Sequence, residues 1–191
     1  MRKLTFLVAA GCLFFATMSV NAQVEYKPFR FDIGLGYAIA DGGGGVLFNL
    51  EPKYAVIPQL SVGIKWELDL IVRDLVVSSS GDKASAKAQG ISSFLAVADY
   101  HFTQNTFRPF AGAGLGIYQI AAASATATSS GSSTSTGVGA GTNFGAMIRA
   151  GFDVSHFRLA LAYNFAGKDA LDNKTGFFSI TAGAYIGGGK K

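Results

Sequence analysis

Cysteine is almost absent: Cys12 is the single one in 191 residues. It lies in an N-terminal stretch that reads as a secretory signal, with "MRK" as the basic start, an apolar run from Leu4 to Val20, and "VNA" before Gln23 as an A-x-A-like cleavage site. A lipoprotein signal ending at "AAGC" is the rival reading, but Ala9 is a poor start for a lipobox and apolar "LFFATMSV" would trail the lipid. Cleavage after Ala22 makes residues 1–22 a signal peptide and 23–191 one mature domain. The mature chain then holds no cysteine, which excludes disulfides, thiol catalysis and thiolate metal sites.

Charge is scarce as well, at 15% of residues. The net charge of +4 falls to +2 once Arg2 and Lys3 leave with the signal, too little and too scattered to suggest nucleic acid. Histidine occurs only as His101 and His156. No mature segment holds 18 consecutive apolar residues, which excludes a membrane-spanning helix after the signal. Yet 49% of the chain is hydrophobic and 13% aromatic. That apolar surface is spread by alternation.

From Phe29 to Ala40 the odd positions are Phe29, Phe31, Ile33, Leu35, Tyr37 and Ile39, and the even ones Arg30, Asp32, Gly34, Gly36, Ala38 and Ala40. A period of two held this long is a strand with one greasy face. The same reading gives strands over 46–57, 60–72, 91–102, 107–119, 142–154, 157–166 and 177–187, with the fourth less clean because Leu95 and Val97 share a face with Asp99 and His101. Pro52 predicts a bulge, since proline removes a ladder hydrogen bond. Three glycines in "RPFAGAGLGIY", at 112, 114 and 116, keep this period and lack the G-x-G-x-x-G spacing of a phosphate-binding turn.

Connections at 58–59, 103–105 and 155–156 are short. Those at 42–45, 73–90, 120–141 and 167–175 are expected to be longer. Short turns at one end, long loops at the other and an even strand number predict an all-β, eight-stranded antiparallel up-and-down barrel of the outer-membrane type. The apolar faces carry no charge, whereas the opposite faces carry Arg30, Asp32, Glu51, Lys53, Lys65, Glu67, Asp69, Asp99, Arg108, Arg149, Asp153 and Arg158. A soluble barrel would be inverted, so the apolar side faces lipid. Six basic and six acidic residues in a narrow lumen predict a plug of salt bridges. Phe29, Tyr54, Tyr100, Phe102, Phe107, Phe152 and Phe157 fall at the short-turn end, where a periplasmic aromatic girdle belongs. Gly112, Gly114 and Gly116 are placed in the lumen, making room for charged side chains from other strands. Trp66 reads as one lipid-facing aromatic.

The signal peptide, the strand pattern, "NLEPKY" before "LSVGIKWEL", "AVADYHF", "RPFAGAGLGIY" and the last strand "FFSITAGAYIGGGKK" resemble the small outer-membrane barrels of the OmpX/OmpW-like porin-family type. The resemblance implies a Gram-negative outer membrane, periplasmic termini, and lipid and lipopolysaccharide as neighbours. One departure is the tail of three glycines and two lysines where many such barrels end on an aromatic residue. Loops 73–90 and 120–141 go on alternating, as in "ASAKA" and "ASATAT", with turn candidates "SSGD" and "SSGSS". They read equally as protruding hairpins, resembling the projecting sheet of OmpX and able to capture a partner by strand addition, or as unstructured Ser/Thr/Gly/Ala loops. Lys83, Lys87, Lys168 and Lys174 in the long loops read as scattered solvated charge, or as contacts to lipid phosphates.

Some related barrels are enzymes acting on lipid A or proteins, with a histidine at the outer leaflet or above. Here both histidines fall at the other end, His101 in or near the lumen and His156 exposed. No catalytic, cofactor or metal site is expected. Two roles remain: a closed, monomeric structural or surface-interaction barrel, and a barrel that passes small or hydrophobic solutes.

Overall fold

A computed structural model describes residues 27–78, 83–128, 135–168 and 174–188, with backbone pairing alone for 73–87, 122–128, 135–138, 168 and 174–175. Residues 1–22 and the turn candidates at 79–82 and 129–133 lie outside the described residues, as do the side chains of Lys83, Lys87, Lys168 and Lys174. Eight strands follow in order: β1 Phe29–Ala40, β2 Gly43–Ile57, β3 Leu60–Ser78, β4 Lys83–His101, β5 Phe107–Thr128, β6 Ser135–Val154, β7 Phe157–Lys168 and β8 Lys174–Gly187. Each pairs antiparallel with the next, and β1 with β8 closes the barrel. Closure satisfies the backbone of every strand at membrane depth, the condition a spanning sheet must meet.

The alternation read from the sequence is the alternation observed. Ile33, Leu35, Tyr37 and Ile39 point outward at 46–66% exposure while Arg30, Asp32 and Ala38 of the same strand are buried. The wall has two heights. β1, β2, β7 and β8 are 12–15 residues long, whereas β3–β6 run to 19–22. The excess is paired: Arg73↔Lys87 through Ser78↔Lys83 joins β3 to β4, Lys83↔Thr128 joins β4 to β5, and Thr126↔Ser135 joins β5 to β6. Of the two readings of loops 73–90 and 120–141, the structure has the hairpins, because their small alternating residues suit a ladder that continues past the barrel rim.

Two expectations need correction. The glycines at 42–45 form no long connection. Asp41 and Gly42 make a two-residue turn, Gly42 taking φ 77°, and the rest belong to β2. Gly45 sits where a Cβ would meet the Leu70 carbonyl oxygen at 1.7 Å, so glycine there serves close backbone approach across β2–β3. The bulge also moves: β2–β3 shifts register between Ala55 and Ile57, not at Pro52. Pro52 still interrupts that ladder, since the β2–β3 pairing resumes at Lys53↔Gly63 after Leu50↔Trp66.

Candidate functional site: the lumen and the raised sheet

Strand phase sends the charges inward, and size brings them together. Arg149 on β6 reaches across to Glu51 on β2 through Nη1–Oε1 at 2.5 Å and Nη2–Oε2 at 3.0 Å, while its Nε holds Asp99 Oδ1 at 2.8 Å. Asp99 Oδ2 also accepts from Lys53 Nζ at 2.9 Å and Arg158 Nη2 at 2.7 Å. Lys53 bonds Asp32 at 2.8 Å and contacts Glu51 at 2.5 Å. Arg30 holds Asp32 and, at 2.5 Å, Asp153. His101 Nε2 lies 3.1 Å from the same Asp153 oxygen. Four cations and four carboxylates, all at most 7% exposed, thus form one neutral network from five strands. Two lumen aromatics back it: the Arg30 guanidinium lies 3.5 Å from the Tyr185 ring centre and that of Arg158 3.7 Å from Phe110. Such contacts strengthen when desolvated.

Three of the remaining charges form a separate group on β3. Lys65 Nζ contacts Glu67 at 2.6 Å and donates to Met147 Sδ at 3.5 Å, while neither carboxylate oxygen of Asp69 has a hydrogen-bond partner among the described residues. Arg108 belongs to neither group. It is half-buried at the short-turn end and donates to the Pro58 carbonyl oxygen at 3.1 Å, because its place near the start of β5 puts it at the rim. The even count of six and six therefore becomes five cations against six carboxylates in the interior.

Beside these charges the lumen carries an apolar cluster. Leu47, Ile71, Ile91, Leu95, Val97, Ile120 and Phe177 are each at most 4% exposed and pack with Tyr118 and Met147 in one cluster. Sequence reasoning, which expected salt bridges alone, did not identify this layer. The signal was present: Leu47 is in phase with Glu51, Ile71 with Asp69, and Leu95 and Val97 with Asp99. A void beside Asn49, Glu51, Arg149 and Arg158 measures about 20 Å³, roughly one water.

The lumen glycines have distinct neighbours. A Cβ on Gly112 would lie 2.1 Å from Asp99 Oδ1, so its absence admits the carboxylate that three cations share. On Gly116 it would meet the Phe94 carbonyl oxygen at 2.0 Å, a backbone contact. Gly114 faces Val97 and Met147, which fill the space beside it.

Outside, Phe29, Tyr54, Tyr100, Phe102, Phe107 and Phe157 are 48–62% exposed at the short-turn end; Phe152 is half-buried against Phe107. Tyr37, Phe144, Phe165 and Phe178 stand exposed toward the other rim. Trp66 packs between Phe48 and Phe94 on the outer wall and donates to Ser92 Oγ at 3.2 Å. A depression of about 750 Å³ crosses that wall from Pro52 and Tyr54 over Val62 and Ile64 to Ala96, Ala98 and Ala113. His156 is exposed and stacks near Tyr185. Neither histidine bonds a serine or threonine hydroxyl among the described residues, and no group of three His, Cys, Asp or Glu side chains there is arranged to hold a metal.

Above the rim, β3–β6 form a four-stranded sheet. Pairing of β2 with β3 stops at Gly43↔Arg73, and pairing of β6 with β7 begins at Ala146↔Phe165. The segments 74–78 of β3 and 135–142 of β6 thus present outer edges that no described strand covers. On β6 that edge reads STGVGAGT, without a charge or a proline.

A closed barrel with apolar residues outward, a buried polar and apolar interior and aromatic rings at its rims defines an integral membrane barrel. Residues 10–185 match the family of the outer membrane protein beta-barrel domain, and the chain belongs to that family, whose place is the outer membrane of Gram-negative bacteria. Similar solved structures include Ail, the attachment invasion locus protein of Yersinia pestis, with TM-score 0.57 and 17% identity over 83% of this chain and 99% of that one. Neisserial surface protein A gives TM-score 0.56 and 18% identity over 83% and 96%. Ail in complex with the heparin analogue sucrose octasulfate gives 0.53 and 15% over 83% and 99%. At these identities the likeness concerns the fold. Comparison with curated sequences yields no significant match.

Proposed function

We propose that this protein is a monomeric surface-interaction barrel: the lumen is a plug that stabilises the wall, and binding takes place on the sheet raised by β3–β6. The observation that carries this reading is the uncharged edge at 135–142 of β6, which no described strand covers, above an interior that holds an ion network and an apolar layer. Natural proteins guard exposed edges with charge, proline or bulges. An edge left unguarded suits strand addition, in which the backbone ladder supplies affinity. In this reading the short turns and both termini are periplasmic, the raised sheet faces outward, and lipopolysaccharide surrounds its base. That the two similar proteins named above are called attachment or surface proteins agrees with such a role.

Trimming residues 74–87 and 121–138 to short turns tests it. The trimmed barrel keeps its heat-modifiable migration in detergent, and cells carrying it lose the surface attachment or protein capture conferred by the full chain. Equal capture by both chains contradicts the reading.

The outer depression and the interrupted β2–β3 ladder at Pro52 favour a second reading, passage of a hydrophobic solute sideways through the wall. Faster uptake of an apolar dye into vesicles holding the barrel, lost when Ala96 and Ala98 are changed to leucine, supports it.

A further inference from the structure

We propose that the lumen holds one hard monovalent cation, of sodium size, between β3 and β4, with Asp69 as its charged ligand. The eight-member network is neutral by itself, and Arg108 stands at the rim, so the β3 group has one lysine for two carboxylates. Asp69 and Glu67 are fully buried, both Asp69 oxygens and Glu67 Oε1 lack hydrogen-bond partners among the described residues, and Lys65 is already engaged with Glu67 and Met147. An uncompensated carboxylate in such surroundings is strongly disfavoured.

The neighbouring strand supplies the rest of a coordination shell. Glu67 pairs with Ser93, Asp69 with Ile91 and Ile71 with Gln89, so Ser93 and Gln89 flank Asp69 on the lumen face of β4. Ser93 Oγ and Gln89 Oε1 are themselves buried and without partners. Carboxylate, amide and hydroxyl oxygens with no nitrogen or sulfur donor suit a hard cation. Among the described side chains one positive charge is missing, which matches a monovalent ion. Ile91 pairs with Asp69 and Ile120 with Ile91, while Ile71 is the next lumen residue of β3 toward the raised sheet, so apolar side chains wall the ion in and it is taken up as the barrel closes.

The test compares the heat-unfolding midpoint of the whole barrel, folded into detergent micelles, in sodium chloride and in N-methylglucamine chloride at equal ionic strength. Sodium raises the midpoint of the wild type by about 4 °C, the shift that ligand excess gives a chain of this size. Asp69→Asn abolishes the difference. Because that variant alters charge, Ser93→Ala with Gln89→Leu serves as the neutral check: it removes two ligands and shrinks the sodium effect while Asp69 remains. Equal midpoints in the two salts for the wild type overturn the site. So does a sodium effect on Asp69→Asn as large as that on the wild type, because the stabilisation then arises elsewhere.

Discussion

Arg149 and Glu51, 98 residues apart in sequence, face each other across the barrel in a two-bonded guanidinium–carboxylate contact. Through the same guanidinium Arg149 also holds Asp99, so one side chain links three strands that share no ladder with one another: β2, β4 and β6. Replacing Arg149 with methionine leaves two buried carboxylates short of a partner. The expected cost is about 3–5 kcal/mol, read as a lower urea midpoint for unfolding in micelles. Adding Glu51→Gln to that variant recovers part of the loss.

Glycine substitutions separate close approach from open space. Gly116→Ala places a methyl against the Phe94 backbone and is expected to cost about 1–3 kcal/mol. Gly141→Ala on the raised part of β6 meets nothing within 4 Å and is expected to change stability by less than about 0.5 kcal/mol. Unfolding midpoints of the two variants check the contrast.

The direction of the wall has its own test. Leu115 is 57% exposed in the middle of β5, and Leu115→Arg is expected to cost about 2–4 kcal/mol for folding into lipid vesicles. Thr181→Arg, inward on β8, leaves the lipid face unchanged and adds a charge beside Arg149 and Arg158 in the lumen, so its cost is independent of vesicle thickness while that of Leu115→Arg rises in thicker bilayers.

The apolar layer contributes by packing. Leu95→Ala, fully buried, is expected to lose about 2–5 kcal/mol and to leave the barrel closed, since the ion network lies nearer the short turns and is untouched. Unfolding in urea measures the loss.

The period of two carried most of the fold in plain sight. Phe29–Ala40 states strand, phase and lipid side in twelve residues because each outward position must meet hydrocarbon. Height was harder to read. Alternation in "ASAKA" and "ASATAT" uses residues small enough for either a ladder or a loose loop, and pairing between strands decided it. The charged set was readable as inward, but Arg108 and Arg149 look alike in sequence. Only position along the tilted wall separates a rim residue from a lumen one. Leu47, Ile71 and Ile91 likewise share phase with charged neighbours, so their inward direction was legible while their assembly into one layer depended on strands distant in sequence.

The central claim is that the interior is filled from the ion network to the apolar layer, and conductance addresses it most directly. Purified, folded barrel added to a planar lipid bilayer is expected to insert without steady current. Uniform, long-lived conductance steps from the wild type would contradict a sealed lumen.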